Sequence, residues 1–548
     1  MKHNQTIDDT VVTSLVEELC NSNPLSIALS SAGPLSSSVK RRQYYKEKFE
    51  VVEPVEYILE PNEKRSFQYI PILKSLIHIL GKEDLRQKVL SKEKDKSSTK
   101  YESYQDGTIY KDNAFYSEEL RIALVLYIDD FEICNPLGTS RQKHKITAVY
   151  WVFGNIQHSS RSTLSSVYLS LLCKAVDIKR FGYKKVLAPL LKDIAILERD
   201  GIYISSVEQN VKGSVFCVAA DNLGAHSICG LVESFSGPFI CRFCLGQRSE
   251  FQIKEVRSGA FPARTQEAHA AHVLTVKGDP ALAHCFGVKK ACPLTENLSY
   301  FHCVTGYPPD ILHDIFEGIV PLELGLCFSV FISKKYFTFS ELNSAISQFP
   351  YKWADKTNSP QPVPTTFFSR KKIGGNAHEN WALIRMLPLI IGQKIPLNDP
   401  AWLLLMSLKD IIELVVGPVH NEESIAYLDS KISEHRHRFQ QVFPNENLIP
   451  KHHFLEHYPA LIKAFGPVIA FWTMRFEAKH SQFKRIVRHT GNFKNILLSL
   501  ATKHQLMISH ILHSTTPLPA LSVVRVTSVP VDVLHVNVQE SIRHLSPS

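Results

Sequence analysis

Three acidic residues have the types and order that a two-cation phosphodiester centre requires: Asp129 in "LYIDDFEICNPLG", Asp221 at the end of "GSVFCVAAD", and Glu477 in "FWTMRFEAKHSQFKR". Gathered carboxylates repel unless cations neutralise them, and hard oxygen ligands suit Mg2+ or Mn2+. Two such ions about 3.5–4 Å apart activate water and stabilise a leaving oxygen. An isolated Asp at a strand end is ordinarily a turn former or helix cap. The signal here is the order Asp, Asp, Glu on strand, strand and helix. Asp130 stands beside Asp129 as an alternative first acid.

A second constellation accompanies the acids. Cys241 and Cys244 in "SGPFICRFCLGQ" have the C-x2-C spacing of a zinc half-site, and "KHHFLEHYP" offers His452 and His457, five apart, or His453 and His457 on one helical face. Cys241 follows Asp221 by twenty residues, and His457 precedes Glu477 by twenty. One Zn2+ shared by the two half-sites would clamp both ends of the intervening segment against the sheet. Read without a metal, the cysteines are small buried hydrophobes and the histidines polar surface. Cys285, Cys292, Cys303 and His302 form a rival set, but contain no second C-x2-C.

These residues need elements to position them. The chain has 548 residues, 44% hydrophobic and 21% charged, enough for several domains with their own cores. Its longest apolar runs, such as "PLELGLCFSVFI", fall short of a membrane span, and the N-terminus lacks a secretion-signal pattern. Eleven cysteines are therefore expected as reduced thiols. The net charge of +9 fits a polyanion partner, thinly spread.

Residues 1–63 read as a weakly structured leader, and 64–112 as a helical pre-core segment with an exposed linker. Runs rich in Val, Ile, Leu and aromatics predict strands at 121–129, 145–154 and 165–175. A helix, the strand ending at Asp221 and another helix follow, giving a β-β-β-α-β-α order over 113–244. Residues 245–450 read as a mainly helical insertion, 451–513 as the zinc-ligand segment and two closing helices, and 514–548 as a tail. Within the insertion, "PDILHDIFEG" spaces Asp310, His313, Asp314 and Glu317 so that they could hold a cation, but capping and salt-bridging are the favoured explanation, and no catalytic role is assigned to them.

The motifs "DDFEICNPLG", "AADNLGAHSICGLVESF" leading to "CRFC", "PPDILHDIFEGI", and "KHHFLEHYP" leading to "RFEAKHSQFK" resemble those of the CACTA (EnSpm-like) DDE transposases across roughly residues 65–515. That resemblance implies an α/β fold: an RNase H-like mixed sheet core, shared with the recombinase that assembles antigen-receptor genes, with a large helical insertion between the second and third catalytic acids. It implies Asp129, Asp221 and Glu477 as ligands of two catalytic Mg2+ or Mn2+ ions, and Cys241, Cys244, His452 and His457 as ligands of one structural Zn2+. The implied activity is DNA strand cleavage and transfer in the nucleus by a homo-oligomer, a dimer being expected, with no membrane and no small-molecule substrate. Arg475, Lys479, His480, Lys484, Arg485 and Arg488 cluster around Glu477 as candidate DNA contacts. No separate N-terminal module for reading element ends is visible. A catalytically inactive DNA- or chromatin-binding descendant and a zinc-stabilised protein scaffold are the alternatives.

Overall fold

The computed structural model describes residues 9–91, 99–117, 119–133, 145–157, 163–490, 494–514 and 539. A six-stranded sheet is built from β1 (Val55–Glu60), β2 (Arg65–Tyr69), β3 (Ile122–Glu132), β4 (Lys145–Phe153), β5 (Tyr168–Lys174) and β6 (Gly213–Ala219), in the order β1-β2-β5-β4-β3-β6. The β3–β6 pair is parallel and every other pair antiparallel, so the sheet is mixed. The central strands are apolar almost throughout because both faces are covered.

Helix α1 (Ala175–Arg199) carries the chain from β5 over the sheet toward β6, bending at Gly182, whose φ of 79° is in the left-handed region. Its Val186, Leu190 and Ile194 pack on Leu124, Leu126 and Trp151 to form the core of one sheet face. The opposite face is covered late in the chain by α10 (Met474–Thr490) and α11 (Ile496–Leu512), through Phe476, Phe483, Leu500 and Ala501 against Tyr127 and Tyr150.

Between the faces in sequence come α2 (Asn222–Cys229), a loop-rich stretch with short helices, and a helical unit. That unit contains α3 (Leu312–Ile319), α4 (Val320–Ser333), α5 (Ala377–Ile391), α6 (Pro400–Val415), α7 (Glu422–Val442), α8 (Pro450–Glu456) and α9 (Tyr458–Phe465), most of them around a core of their own. Helix α3 is wound as a π-helix. Pro321, just beyond it, has no N–H to donate and crowds the preceding turn, which a wider turn relieves. Together α3 and α4 are long and apolar enough to cross a membrane, but most of that surface is buried inside the helical unit.

The N-terminal region is more ordered than its composition implies. Helices span Asp9–Ser22 and Ser38–Phe49, and the β1–β2 hairpin extends the sheet. Residues 65–69, expected as the start of a helix, form β2 because Phe67 and Tyr69 bury their rings on the sheet. The tail beyond 514 lies outside the described residues, save 539.

Candidate active site and metal centre

Parallel pairing brings the first two acids level. Tyr127 on β3 is in register with Ala219 on β6, and Asp129 and Asp221 each stand two residues further along. Alternation along β3 separates the neighbouring acids: Asp130 accepts from Thr147 Oγ1 at 2.5 Å and pairs with Lys145 at 3.2 Å, whereas Asp129 accepts from Tyr127 Oη at 2.7 Å and lies 3.9 Å from His480 of α10. Asp129 is therefore the acid on the face shared with Glu477. Asp221 caps α2, its Oδ1 accepting from the Gly224 N–H at 2.5 Å. A Cβ on Gly224 would lie 2.8 Å from that oxygen, so the close cap requires glycine.

Glu477 sits in the first turn of α10, and Asp310 fixes where that helix begins. Asp310 accepts from Thr473 Oγ1 at 2.9 Å and from the Thr473 N–H at 3.2 Å, and Thr473 accepts the Glu477 N–H. Asp310 also holds His313 Nδ1 at 2.5 Å, and His313 Nε2 lies 3.5 Å from Glu477 Oε1 and 4.0 Å from Glu317 Oε2. Sequence reasoning left Asp310 and His313 out of the site. Their i, i+3 spacing was visible, but not the fold that carries them to the acids.

Charge on each of these groups acts on the others. Burial, with the Asp221 carboxylate nearby, pushes Asp129 up to about 6. Burial pushes Glu477 up to about 8, with Asp129, Asp310 and Glu317 raising it and His313 opposing them. Burial works against the His313 imidazolium, yet Asp310, then Glu477 and Asp221, raise it to about 10. Asp129 and Glu477 keep 26% and 34% of their side-chain surface open, so the pocket is accessible to ions. The donors are of the hard-oxygen kind that Mg2+ or Mn2+ takes. The three acids do not, however, form a group whose ligand oxygens all lie within 4.8 Å of one another, and His313 supplies positive charge among them.

A different group is that compact. Among the described residues, Cys241, Cys244, His453 and His457 alone bring three or more potential ligand atoms within 4.8 Å of one another, and all four are buried. Cys241 Sγ is 3.6 Å from His457 Nε2, Cys244 Sγ 3.3 Å from His453 Nε2, and the two Nε2 atoms are 3.3 Å apart. A tetrahedron with Zn–S of about 2.3 Å and Zn–N of about 2.0–2.1 Å has edges of about 3.3 Å between nitrogens and about 3.5 Å from nitrogen to sulfur. The observed edges fit a Cys2His2 zinc site. Burial raises the Cys241 thiol, but Cys244, then His457 and His453, outweigh it and hold Cys241 well below the ordinary range. Phe251 stacks on His453 with centroids 3.6 Å apart, orienting the ring.

His453 therefore takes the position expected for His452. On α8 the two rings point different ways: His452 Nδ1 accepts the Ile449 N–H, and its Nε2 lies 3.2 Å from the buried Glu323 Oε1, which also meets His435 at 2.9 Å. His453 is one helical turn from His457, on the same face. The rival set assembles only in part: Cys303 shares a hydrogen bond with Cys292 and meets His269 at 3.3 Å, but Cys285 is exposed and His302 Nδ1 accepts the Val304 N–H.

The candidate DNA contacts divide by helix face. Arg475, Arg485 and Arg488 are exposed and Lys484 is half-buried. Lys479 and His480 are corrections, because both point into the sheet face. Lys479 is wholly buried and donates to the Leu164 carbonyl at 2.8 Å, and burial lowers it to about 7. His480 packs on Phe131 with centroids 4.5 Å apart, and burial, then Lys484, lowers it to about 3, which leaves it neutral. Neither offers a charge to a phosphate. No protein-family model matches the chain, and no curated protein matches it either.

Proposed function

We propose that the protein is a DDE transposase-like nuclease of the CACTA type, its mixed sheet an RNase H-like core, acting on DNA in the nucleus as a dimer. The observation that carries the reading is the level placement of Asp129 and Asp221 on parallel neighbouring strands, with Asp129 close enough to Glu477 to raise it. In this reading Asp129, Asp221 and Glu477 hold the catalytic ions. When bound, a pair of Mg2+ or Mn2+ ions would activate water and stabilise the leaving 3′ oxygen. Tyr127 orients Asp129 through its hydroxyl, and the Gly224 amide orients Asp221. His313, kept protonated by Asp310, donates to a non-bridging phosphate oxygen. Cys241, Cys244, His453 and His457 hold one structural Zn2+, and Arg475, Lys484, Arg485 and Arg488 track the backbone.

Mn2+-dependent nicking of supercoiled plasmid tests the reading: the zinc-loaded protein should nick, and Asp221→Asn or Glu477→Gln should fall to background. A second reading, a zinc-stabilised DNA-binding descendant without catalysis, is favoured by the imidazolium among the acids. It predicts plasmid binding without nicking.

A further inference from the structure

The chain neighbours of four site residues meet in one buried network: Asn222 follows Asp221, Arg242 follows Cys241, Asp314 follows His313, and Tyr458 follows His457. Arg242 Nη1 donates to Asn222 Oδ1 and its Nη2 to the Pro308 carbonyl at 3.0 Å. Asn222 Nδ2 donates to Asp314 Oδ1 at 2.6 Å, and the Tyr458 hydroxyl donates to Asp314 Oδ2 at 3.1 Å. Asp314 and Tyr458 are wholly buried, and Arg242 and Asn222 keep at most 8% of their surface. A buried carboxylate needs charge and hydrogen-bond compensation, which Arg242 and Asn222 supply.

We infer that this network couples the zinc centre to the catalytic pocket, with Arg242, Asn222, Asp314 and Tyr458 as positioning residues that set Asp221 and His313 according to zinc occupancy. This rests on the nuclease reading for its catalytic consequence and on the hydrogen bonds alone for the coupling. Zinc fixes Cys241 and His457. Cys241 fixes the backbone from which Arg242 reaches Asn222 and the Pro308 carbonyl, two residues before Asp310. His457 fixes Tyr458 against Asp314, one residue from His313. A second link runs in parallel: Lys451, two residues before His453, donates from Nζ to the His313 carbonyl at 2.5 Å. Its side chain crosses α3 at Gly318, where a Cβ would lie 2.3 Å from Lys451 Cδ. The zinc helix α8 thus touches α3 at a glycine, where a larger residue would push the Lys451 side chain aside.

The test compares the zinc-loaded protein with Tyr458→Phe, which deletes one hydroxyl, and Arg242→Lys, which keeps the charge but not the two-pronged donation. Zinc content is measured by atomic absorption, hydrogen exchange by mass spectrometry, and Mn2+ affinity by electron paramagnetic resonance. Both variants should keep one zinc per chain, yet exchange faster in the segments around Asp221 and His313 and bind Mn2+ about tenfold more weakly, as loss of a supporting shell does. Exchange changes confined to residues 238–246, or absent, would overturn the coupling. If the parent itself binds no Mn2+, the nuclease reading falls, while the exchange result still decides the coupling.

Discussion

His313 Nε2 lies 3.5 Å from Glu477 Oε1 while its Nδ1 is held 2.5 Å from Asp310 Oδ2. An imidazolium so placed answers the same electrostatic need as a cation, and the pocket's response to pH follows from that competition.

Divalent-ion binding should be coupled to proton release. Asp129 and Glu477 are raised to about 6 and about 8, so near pH 7 a ligating ion must displace the Glu477 proton. Affinity for Mn2+ should rise as pH increases from 6 to 8. Titration calorimetry in buffers of different ionisation enthalpy should show about one proton released per protein near pH 7. Binding that ignores pH would contradict the assignment of Glu477 as a ligand.

The same groups set the stability of the metal-free protein. Glu477 is raised from 4.5 to about 8, so its contribution is complete below pH 4.5 and lost as pH climbs through 8. His313 is raised from 6.5 to about 10, so its contribution is complete below pH 6.5 and lost through pH 10. Urea midpoints should therefore fall across both windows. Glu477→Gln should flatten the lower window and His313→Gln the upper, and an unchanged profile in either variant would remove that group from the account.

Zinc content should separate two adjacent histidines. Cys241→Ser and His453→Ala should lose the metal, whereas His452→Ala should retain one zinc per chain. His452→Ala should still cost about 1–3 kcal/mol in urea unfolding, because buried Glu323 loses a donor. Zinc loss in His452→Ala with retention in His453→Ala would reverse the assignment.

DNA binding should discriminate the faces of α10. Arg485→Ala and Arg488→Ala should each reduce the salt slope of binding by about one. Lys479→Met should leave it unchanged. Lys479 is lowered from 10.5 to about 7, so its burial penalty grows as pH falls from 10.5 and is complete below 7. The methionine variant should thus gain stability, by about 1–3 kcal/mol below pH 7, unfolding by urea being the readout. A shallower salt slope in Lys479→Met would show that the lysine reaches DNA.

The sequence exposes some of this architecture and hides the rest for physical reasons. Strands β3 to β6 and helix α10 were legible because their apolar runs are long and bounded by polar loops, although β3 runs on to Glu132, three residues past Asp129, where the sequence pattern ends it. Hairpin β1–β2 was not, because "RSFQYIPIL" has the apolar content of either element and only the neighbouring β5 decides. The choice between His452 and His453 depends on which way α8 turns toward Cys241, and Glu323, 129 residues earlier, takes the other ring. Lys479 and His480 look like a basic helix face until the sheet is known to cover them. His313 joins the site through contacts with Asp310 and Glu477, and the second of these spans too much chain for any local pattern to show.

The most direct measurement of the central claim is the electron paramagnetic resonance spectrum of Mn2+ bound to the zinc-loaded protein with a DNA duplex. Two ions about 3.5–4 Å apart are exchange-coupled, so the account predicts a coupled Mn2+ pair that disappears in Asp221→Asn. A spectrum of isolated Mn2+, or one unchanged by Asp221→Asn, would contradict the claim that Asp129, Asp221 and Glu477 form a two-ion centre.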